Sequence, residues 1–363
     1  MTKGLAVAIF GNFMATNFVE ATTDVSRLDD EGWWAVTQSF EGEFQAFRFS
    51  DLQPLNLVKL AALGHNFSHD PIEISSWTSS MSMTEYVDAV EKVRQDIARG
   101  WVYQANLCRV LSAPLERDLN VVALWNLLSE HNPAPYLSAL QVPAELSGLA
   151  NDVRVVSASP ELFLSRKTQT LRTSPIKGTA RVASELLEKD QTENIMIVDL
   201  VRNDLGQVCE SGSVRVVDLL RIEQHPGLVH LVSDVEGTLP VGTEWNKIFA
   251  ALLPPGSVSG APKSSALEVI QRLENGTRGI YCGGFGWVNA DEQTAELAVG
   301  IRTFWQGVQS GVNSLHFGTG AGITWSSDPI GEWHETELKA ARLLSIAAMS
   351  SDNNIQPSSN PNR

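Results

Sequence analysis

The chain has 363 residues, 43% of them hydrophobic and 19% charged, a globular composition long enough to bury one large core or two modest ones. Its 27 Lys and Arg against 42 Asp and Glu leave a formal charge of -15, so the field that draws polyphosphate is missing and nucleic acid is not an expected partner. Cys108, Cys209 and Cys282 show no CxxC spacing, which argues against a disulfide framework or a cysteine zinc site and for a reducing, cytoplasmic location.

Leu5 to Met14 is apolar and follows Lys3, but Asn12 interrupts it and no cleavage site follows. It reads as a buried first strand rather than a signal peptide. No apolar run reaches the ~20 residues of a membrane span, so no membrane association is expected. Residues 1–80 read as short strands and loops without a chemical motif, a strand-rich segment packing on the core. At Ser82 and Glu85 a capping box opens a helix whose Tyr86, Val90, Val93 and Ile97 share one face and which ends at Gly100. Trp101 to Leu111 alternates, which as a strand puts Gln104, Asn106 and Cys108 on one face.

Leu119 to His131 has a helical pattern, Arg154 to Phe163 and Thr168 to Thr173 read as strands, and Glu185 to Leu205 as a long helix. Strands are expected at Val214 to Ile222 and Leu228 to Glu236, then a Gly-rich turn from Gly256, with Pro262 opening a helix from Lys263 to Leu273. Gly283 to Val288, Thr294 to Trp305 and Ser314 to Gly318 read as antiparallel strands. Asp328-Pro329 starts a last helix running to about Met349, and the Ser-, Asn- and Pro-rich tail 350–363 reads as disordered. Strand and helix blocks are mixed rather than alternating, so the expected class is α+β, with residues 81–349 as one domain.

On the last helix Glu332, Glu335 and Lys339 stand at i, i+3 and i+7 and share a face. That is either a solvated surface or, with Glu193 from the other acidic helix, a set of hard oxygen donors suited to magnesium. Gly256 to Lys263 is not a P-loop, because its Lys does not follow the last glycine directly, and Gly318 to Gly322 lacks dinucleotide spacing. Each is a tight turn or a set of bare amides able to hold a carboxylate. Lys177, between Ile176 and Gly178, is an exposed lysine or, if buried, an amine of lowered pKa able to act as nucleophile with Glu161 as proton donor. His230 is a core histidine or an orienting group.

Taken in order, Ser159-Pro-Glu161, Pro175-Ile-Lys-Gly-Thr179, Glu193 to Asp204, His230-Leu-Val-Ser, Gly256 to Lys263, Ile301-Arg-Thr303, Gly320-Ala-Gly322 and Gly331 to Thr336 resemble the motifs of the chorismate-utilising enzymes. The resemblance covers about residues 82 to 346. It implies two large antiparallel sheets packed across each other with helices outside. It also implies magnesium held by Glu193, Glu332 and Glu335, and chorismate bound by Arg302, Tyr281, Lys339, Gly178, Thr179 and the amides of Gly320, Ala321 and Gly322.

Two positions separate the members. Isochorismate and salicylate synthases carry a water-activating Lys where this chain has Gln104, and anthranilate synthases typically carry Ala where it has Lys177. The pattern looks like aminodeoxychorismate synthase component I. That implies attack of Lys177 on chorismate, Glu161 as acid and His230 as an orienting group, with ammonia supplied from glutamine by a separate amidotransferase. The alternatives are anthranilate synthase component I, which shares nearly every motif, and a silent tryptophan-binding relative, since Asn132 to Tyr136 resembles a loop that lines the tryptophan pocket in some members.

Overall fold

Short connections dominate the strand-rich parts of the chain, and a short connection can join only antiparallel neighbours. The computed structural model describes residues 5–180, 182–225 and 228–350, so apart from Ser350 the expected disordered tail lies outside the described residues. The first part forms β1 (Val7–Phe10), β2 (Phe13–Thr22), β3 (Trp33–Gln38), β4 (Phe44–Pro54), α1 (Leu57–Ala62) and β5 (Thr78–Ser79). Then come α2 (Met83–Ala98), β6 (Gln104–Pro114), α3 (Val121–His131), β7 (Tyr136–Val142), α4 (Ala144–Ser147), β8 (Val153–Ser159), β9 (Leu162–Lys167), β10 (Thr170–Ser174) and β11 (Ile176–Ala180). They are followed by α5 (Glu188–Gly206), β12 (Arg215–His225), β13 (Leu228–Thr238), α6 (Trp245–Leu252), β14 (Gly260–Ala261) and α7 (Lys263–Leu273). The chain ends in β15 (Gly284–Asn289), β16 (Thr294–Val299), β17 (Thr303–Gln309), β18 (Val312–Ile323) and α8 (Pro329–Ala347).

All pairings among the described residues are antiparallel, and they make one continuous ladder. It runs from β12 through β13, β10, β9, β16, β15, β3 and β4 to β2. It continues through β1, β7, β8, β17 and β18 to β6. The ladder folds over near β2 so that its halves face each other: Phe10 meets Phe285 at 5.3 Å between ring centroids and Phe13 meets Trp287 at 5.8 Å, across strands that share no ladder. The α+β architecture of two packed antiparallel layers is therefore present, with the layers joined rather than separate. The N-terminal strands sit inside the ladder, since β1 pairs with β7 and β3 with β15.

Alternation along each strand sends one face inward and the next residue to a helix. Trp287 packs in the aromatic layer with Phe13 and Trp33, while Val288 joins Ile197, Val201 and Ile248 of α5 and α6. On the other half, Ala139, Val156 and Phe317 pack against Val122 and Leu124 of α3 and Leu343 and Leu344 of α8. Helices thus cover the outer faces. No helix among the described residues is long and apolar enough to cross a membrane.

Where the elements depart from expectation, the site is involved. The strand expected over 154–163 breaks at Pro160-Glu161, and that over 294–305 breaks at Gly300 to Arg302, where Arg302 takes a left-handed φ of 52°. β18 runs on through glycines that read as a turn, because its long register with β6 supports them. β7 and α6 were not foreseen. α8 begins as expected: Asp328 caps it by accepting the Gly331 amide at 2.7 Å, with Pro329 at its first position. Asp328→Ala should lower stability by about 1 kcal/mol in denaturant unfolding, with an unchanged m-value.

Candidate active site

Lys177 is the meeting point of several elements. It sits on β11, and its Nζ donates to the Ser257 carbonyl at 3.2 Å. Burial pushes its pKa down and the Lys339 ammonium adds to this, while Glu161, Glu193 and Glu335 hold it up; the net direction is down. The β8–β9 connection, α5 and α8 therefore all project charge toward one amine. Gly178 follows with φ 84°, and a Cβ there would lie 2.7 Å from Asp190 Cβ, so only glycine lets the start of α5 come this close. Thr179 stands opposite His230 in the β11–β13 register; its side chain is outside the described residues. His230 is buried at 3% exposure.

Glu161 is 5% exposed. Burial pushes its pKa up, against the opposing effect of the Ser257 side chain, the Lys177 charge and the Ile176 amide. Its Oε1 has no hydrogen-bond partner among the described residues. An acid and an amine, each shifted toward its neutral form, thus lie in one desolvated place.

The second wall is a sheet edge. β17 leaves β18 after the pair Phe304 and Phe317, so Gly318 to Ile323 keeps β6 as its only ladder partner among the described strands. The amide of Cys108 goes to Glu274 Oε1 at 2.9 Å and that of Asn106 to the Ser259 carbonyl at 2.8 Å, both away from β18. Their partners Gly320 and Gly322 therefore sit in non-hydrogen-bonded pairs and turn their own N–H and C=O groups to the open edge. Lys339 Nζ reaches the Gly320 carbonyl there at 3.0 Å. Ala321, opposite Leu107, lies in the alternate pair, so its amide faces β6; the expectation that this amide binds a ligand does not fit the register. A Cβ at Gly320 would lie 2.6 Å from the Leu107 carbonyl, and one at Gly322 2.2 Å from Gln104 Nε2.

Arg302 and Lys339 differ in their partners. Burial and neighbouring Arg342 push the Arg302 pKa down, and no ion pair to Arg302 occurs among the described residues. Lys339 is held by Glu335 at 2.6 Å. Tyr281 is buried with its ring against Gly318, where a Cβ would fall 2.0 Å from Tyr281 Cγ. Glu332, 9% exposed, and Glu335 project from α8, and Glu193 from α5. No group of three or more metal-ligating side chains is gathered among the described residues. Even so, Glu193 and Glu335 both act on Lys177, and an all-carboxylate donor set suits magnesium chemically.

Three supporting groups were not foreseen in the sequence. Ser257 accepts the Lys177 amine on its carbonyl, and its side chain works against the rise of the Glu161 pKa. Arg278, 2% exposed, pairs with Glu274 at 2.6 Å and donates to the Asn106 carbonyl at 2.6 Å, its guanidinium 4.1 Å from the Phe40 ring centroid. Glu274 in turn receives the Cys108 amide, so this buried pair sets the register of β6 against the glycines. The four-residue spacing of Glu274 and Arg278 was the only available signal, and it lies just past the end of α7.

The chain belongs to the chorismate-binding enzymes: the family model described as chorismate binding enzyme matches residues 49–345. It is 35% identical over 337 residues to anthranilate synthase component 1 1 of Haloarcula marismortui, covering 89% of this chain and 64% of that protein. It is 32% identical over 346 residues to aminodeoxychorismate synthase component 1 of Bacillus subtilis, covering 91% of this chain and 70% of that one. The fold matches the crystal structure of anthranilate synthase component I from Streptococcus pneumoniae with a TM-score of 0.72 at 23% identity, over 88% of this chain and 84% of that one. The chain thus spans somewhat under two thirds of the Haloarcula relative's length. Relatives of both activities stand at similar identity, so the comparisons give the family and leave the member open.

Because Glu274 would be left buried without its cation, Arg278→Met should cost ~3–5 kcal/mol, well beyond the loss of the Asp328 cap. Urea unfolding of the two variants side by side checks this.

Proposed function

We propose that the protein is the chorismate-converting subunit of an aminodeoxychorismate synthase, forming 4-amino-4-deoxychorismate from chorismate and ammonia. The observation that carries this is Lys177, a desolvated amine placed beside an acid of raised pKa. An anthranilate-forming site has no use for such an amine.

The ring carboxylate and enolpyruvyl carboxylate of chorismate would be met by Arg302, Lys339 and the open-edge amides of Gly320 and Gly322, with Tyr281, Gly178 and Thr179 shaping the site. Glu193, Glu332 and Glu335 would hold magnesium, which when bound offsets the negative charge of the substrate carboxylate. Neutral Lys177 attacks C2, the ring double bonds shift, the C4–O bond breaks, and Glu161 donates its proton so that water leaves. Ammonia then forms the C4–N bond, the Lys177–C2 bond breaks with the reverse shift, and a proton lost from nitrogen returns the starting charge state. Two allylic displacements replace one direct expulsion of hydroxide. His230 would orient the leaving side. Ammonia would come from a glutamine amidotransferase partner, since none of the three cysteines stands in a Gly-x-Cys-x-Gly elbow and all three are buried.

The Haloarcula relative keeps a second reading open, anthranilate synthase component I, which would also release pyruvate. Incubation with chorismate, magnesium and ammonium followed by product mass decides between them. Aminodeoxychorismate from the parent chain and almost none from Lys177→Ala supports the proposal; anthranilate plus pyruvate overturns it. Neither turnover nor magnesium binding would instead support a silent relative. Chelation of magnesium should abolish turnover.

The pKa direction gives a further check. Lys177 is unreactive while protonated, so without ammonium the rate of its covalent adduct with chorismate should rise with pH. With its folded pKa below the ordinary lysine value, that rise should begin below the usual lysine range, and loss of the Glu161 proton should turn it down again at higher pH. Intact-protein mass spectrometry against pH measures it.

A further inference from the structure

The guanidinium of Arg278 is buried between the turn that anchors Lys177 and the strand that sets the open edge. Its Nη1 donates to the Val258 carbonyl at 3.3 Å and its Nη2 to the Asn106 carbonyl at 2.6 Å. Nε and Nη2 also reach the two oxygens of Glu274 at 2.8 and 2.6 Å, so all three nitrogens are engaged. The first carbonyl lies one peptide unit after that of Ser257, which accepts Lys177 Nζ at 3.2 Å. The second lies on β6, where Asn106 stands opposite Gly322. The Asn106 amide goes to the Ser259 carbonyl at 2.8 Å and ties turn and strand together beside the guanidinium.

The backbone of Arg278 is held as well as its side chain. Glu41, in the β3–β4 turn, accepts the Arg278 amide at 2.6 Å and the Gly279 amide at 3.2 Å, and the Phe40 amide donates to the Gly279 carbonyl at 2.8 Å. The geometry points to Arg278 as a positioning residue, whose fork of donors fixes the turn that holds the Lys177 amine against the strand whose register presents the Gly320 and Gly322 amides. This deepens the proposed reaction and rests on it.

Stability alone does not call for the arrangement, because an apolar pair of similar volume often holds a core as well as a buried ion pair does. An apolar pair cannot hold two carbonyls. An ammonium is a single point of charge, whereas the planar guanidinium presents its donors in a rigid fork. Peptide units are rigid planes joined at Cα, so a fixed Val258 carbonyl restricts the Ser257 carbonyl beside it. Lys177 comes from β11 and the edge amides from β18, strands that share no pairing, so their separation depends on a link of this kind. Reacting atoms must meet at about 3–3.5 Å, and a displacement of about 1 Å can cost ~100-fold in rate.

The test is Arg278→Lys, which keeps a cation beside Glu274 and loses the fork. With rates expressed per folded molecule, a loss of stability alone leaves them unchanged. The variant should lose ~10- to 100-fold in kcat with chorismate and ammonium, while KM for chorismate changes less than about threefold. Formation of the Lys177 adduct without ammonium should slow by the same factor. Native-state hydrogen exchange gives a readout that does not depend on the product: the amides of residues 256–259 and of Asn106 should exchange about tenfold faster, with those of β13 unchanged. A fall in kcat at constant KM together with faster exchange in both segments supports the proposal. An unchanged kcat, a loss carried by KM instead, or exchange that quickens in one segment alone or in neither overturns it. Where Arg278→Lys does not fold, the double variant Arg278→Gln with Glu274→Gln, which leaves no buried charge unpaired, takes its place in the same measurements. Anthranilate from the parent chain would overturn the reaction proposed above, while hydrogen exchange would still decide the link from Arg278 to the turn and the strand.

Discussion

An antiparallel ladder leaves polar edges, and the edge of β18 beyond Phe317 is the constraint around which the site is built. Up to Phe317 the strand has neighbours on both sides; beyond it β17 turns away through Arg302 and β18 continues with β6 alone. An uncovered edge invites pairing with another chain. Here α8 crosses it instead, with Lys339 taking the Gly320 carbonyl, and the amides of Gly320 and Gly322 face the open edge. The register of β6 decides which amides those are, and the buried Glu274–Arg278 pair together with Ser259 holds that register by claiming β6's other edge.

A chain of charge -15 must reverse its field locally to bind a dicarboxylate. Under the proposed function it would do so by geometry rather than by composition. Arg302 emerges from a break between two strands in a left-handed conformation, and Lys339 comes from α8. The same helix presents Glu332 and Glu335, and α5 brings Glu193, so the carboxylates proposed for a divalent cation lie on the same elements as a cation proposed for the substrate.

Burying a lysine and a glutamate together leaves two solutions: an ion pair with strong mutual contact, or a neutral pair that avoids the cost of desolvating charge. Lys177 and Glu161 lie nearer the second. No ion-pair contact joins them among the described residues; Lys177 instead donates to the Ser257 carbonyl, and burial is the main cause of each shift. The turn that carries Ser257 is fixed by contacts to α5, β6 and Arg278, so the anchor of the Lys177 amine depends on packing some distance from it.

Local signals in the sequence were enough for α2, α7 and α8, because a cap, a proline and a helical periodicity act within a few residues: the Ser82 capping box and the Asp328 cap both form as expected. The order of short motifs was enough for the family. Long-range pairing decided the rest. The glycines of β18 read as a turn because nothing nearby shows that β6 will pair with them, and the direction of the Ala321 amide follows only from that register. Ser257, Glu274 and Arg278 lack a local signature of function, since each acts through a partner brought close by the fold. Sequence alone determined which chemical groups the chain carries and where its helices begin. Tertiary structure decided which amides stay open and which charges are desolvated, because those depend on contacts between segments far apart in the chain.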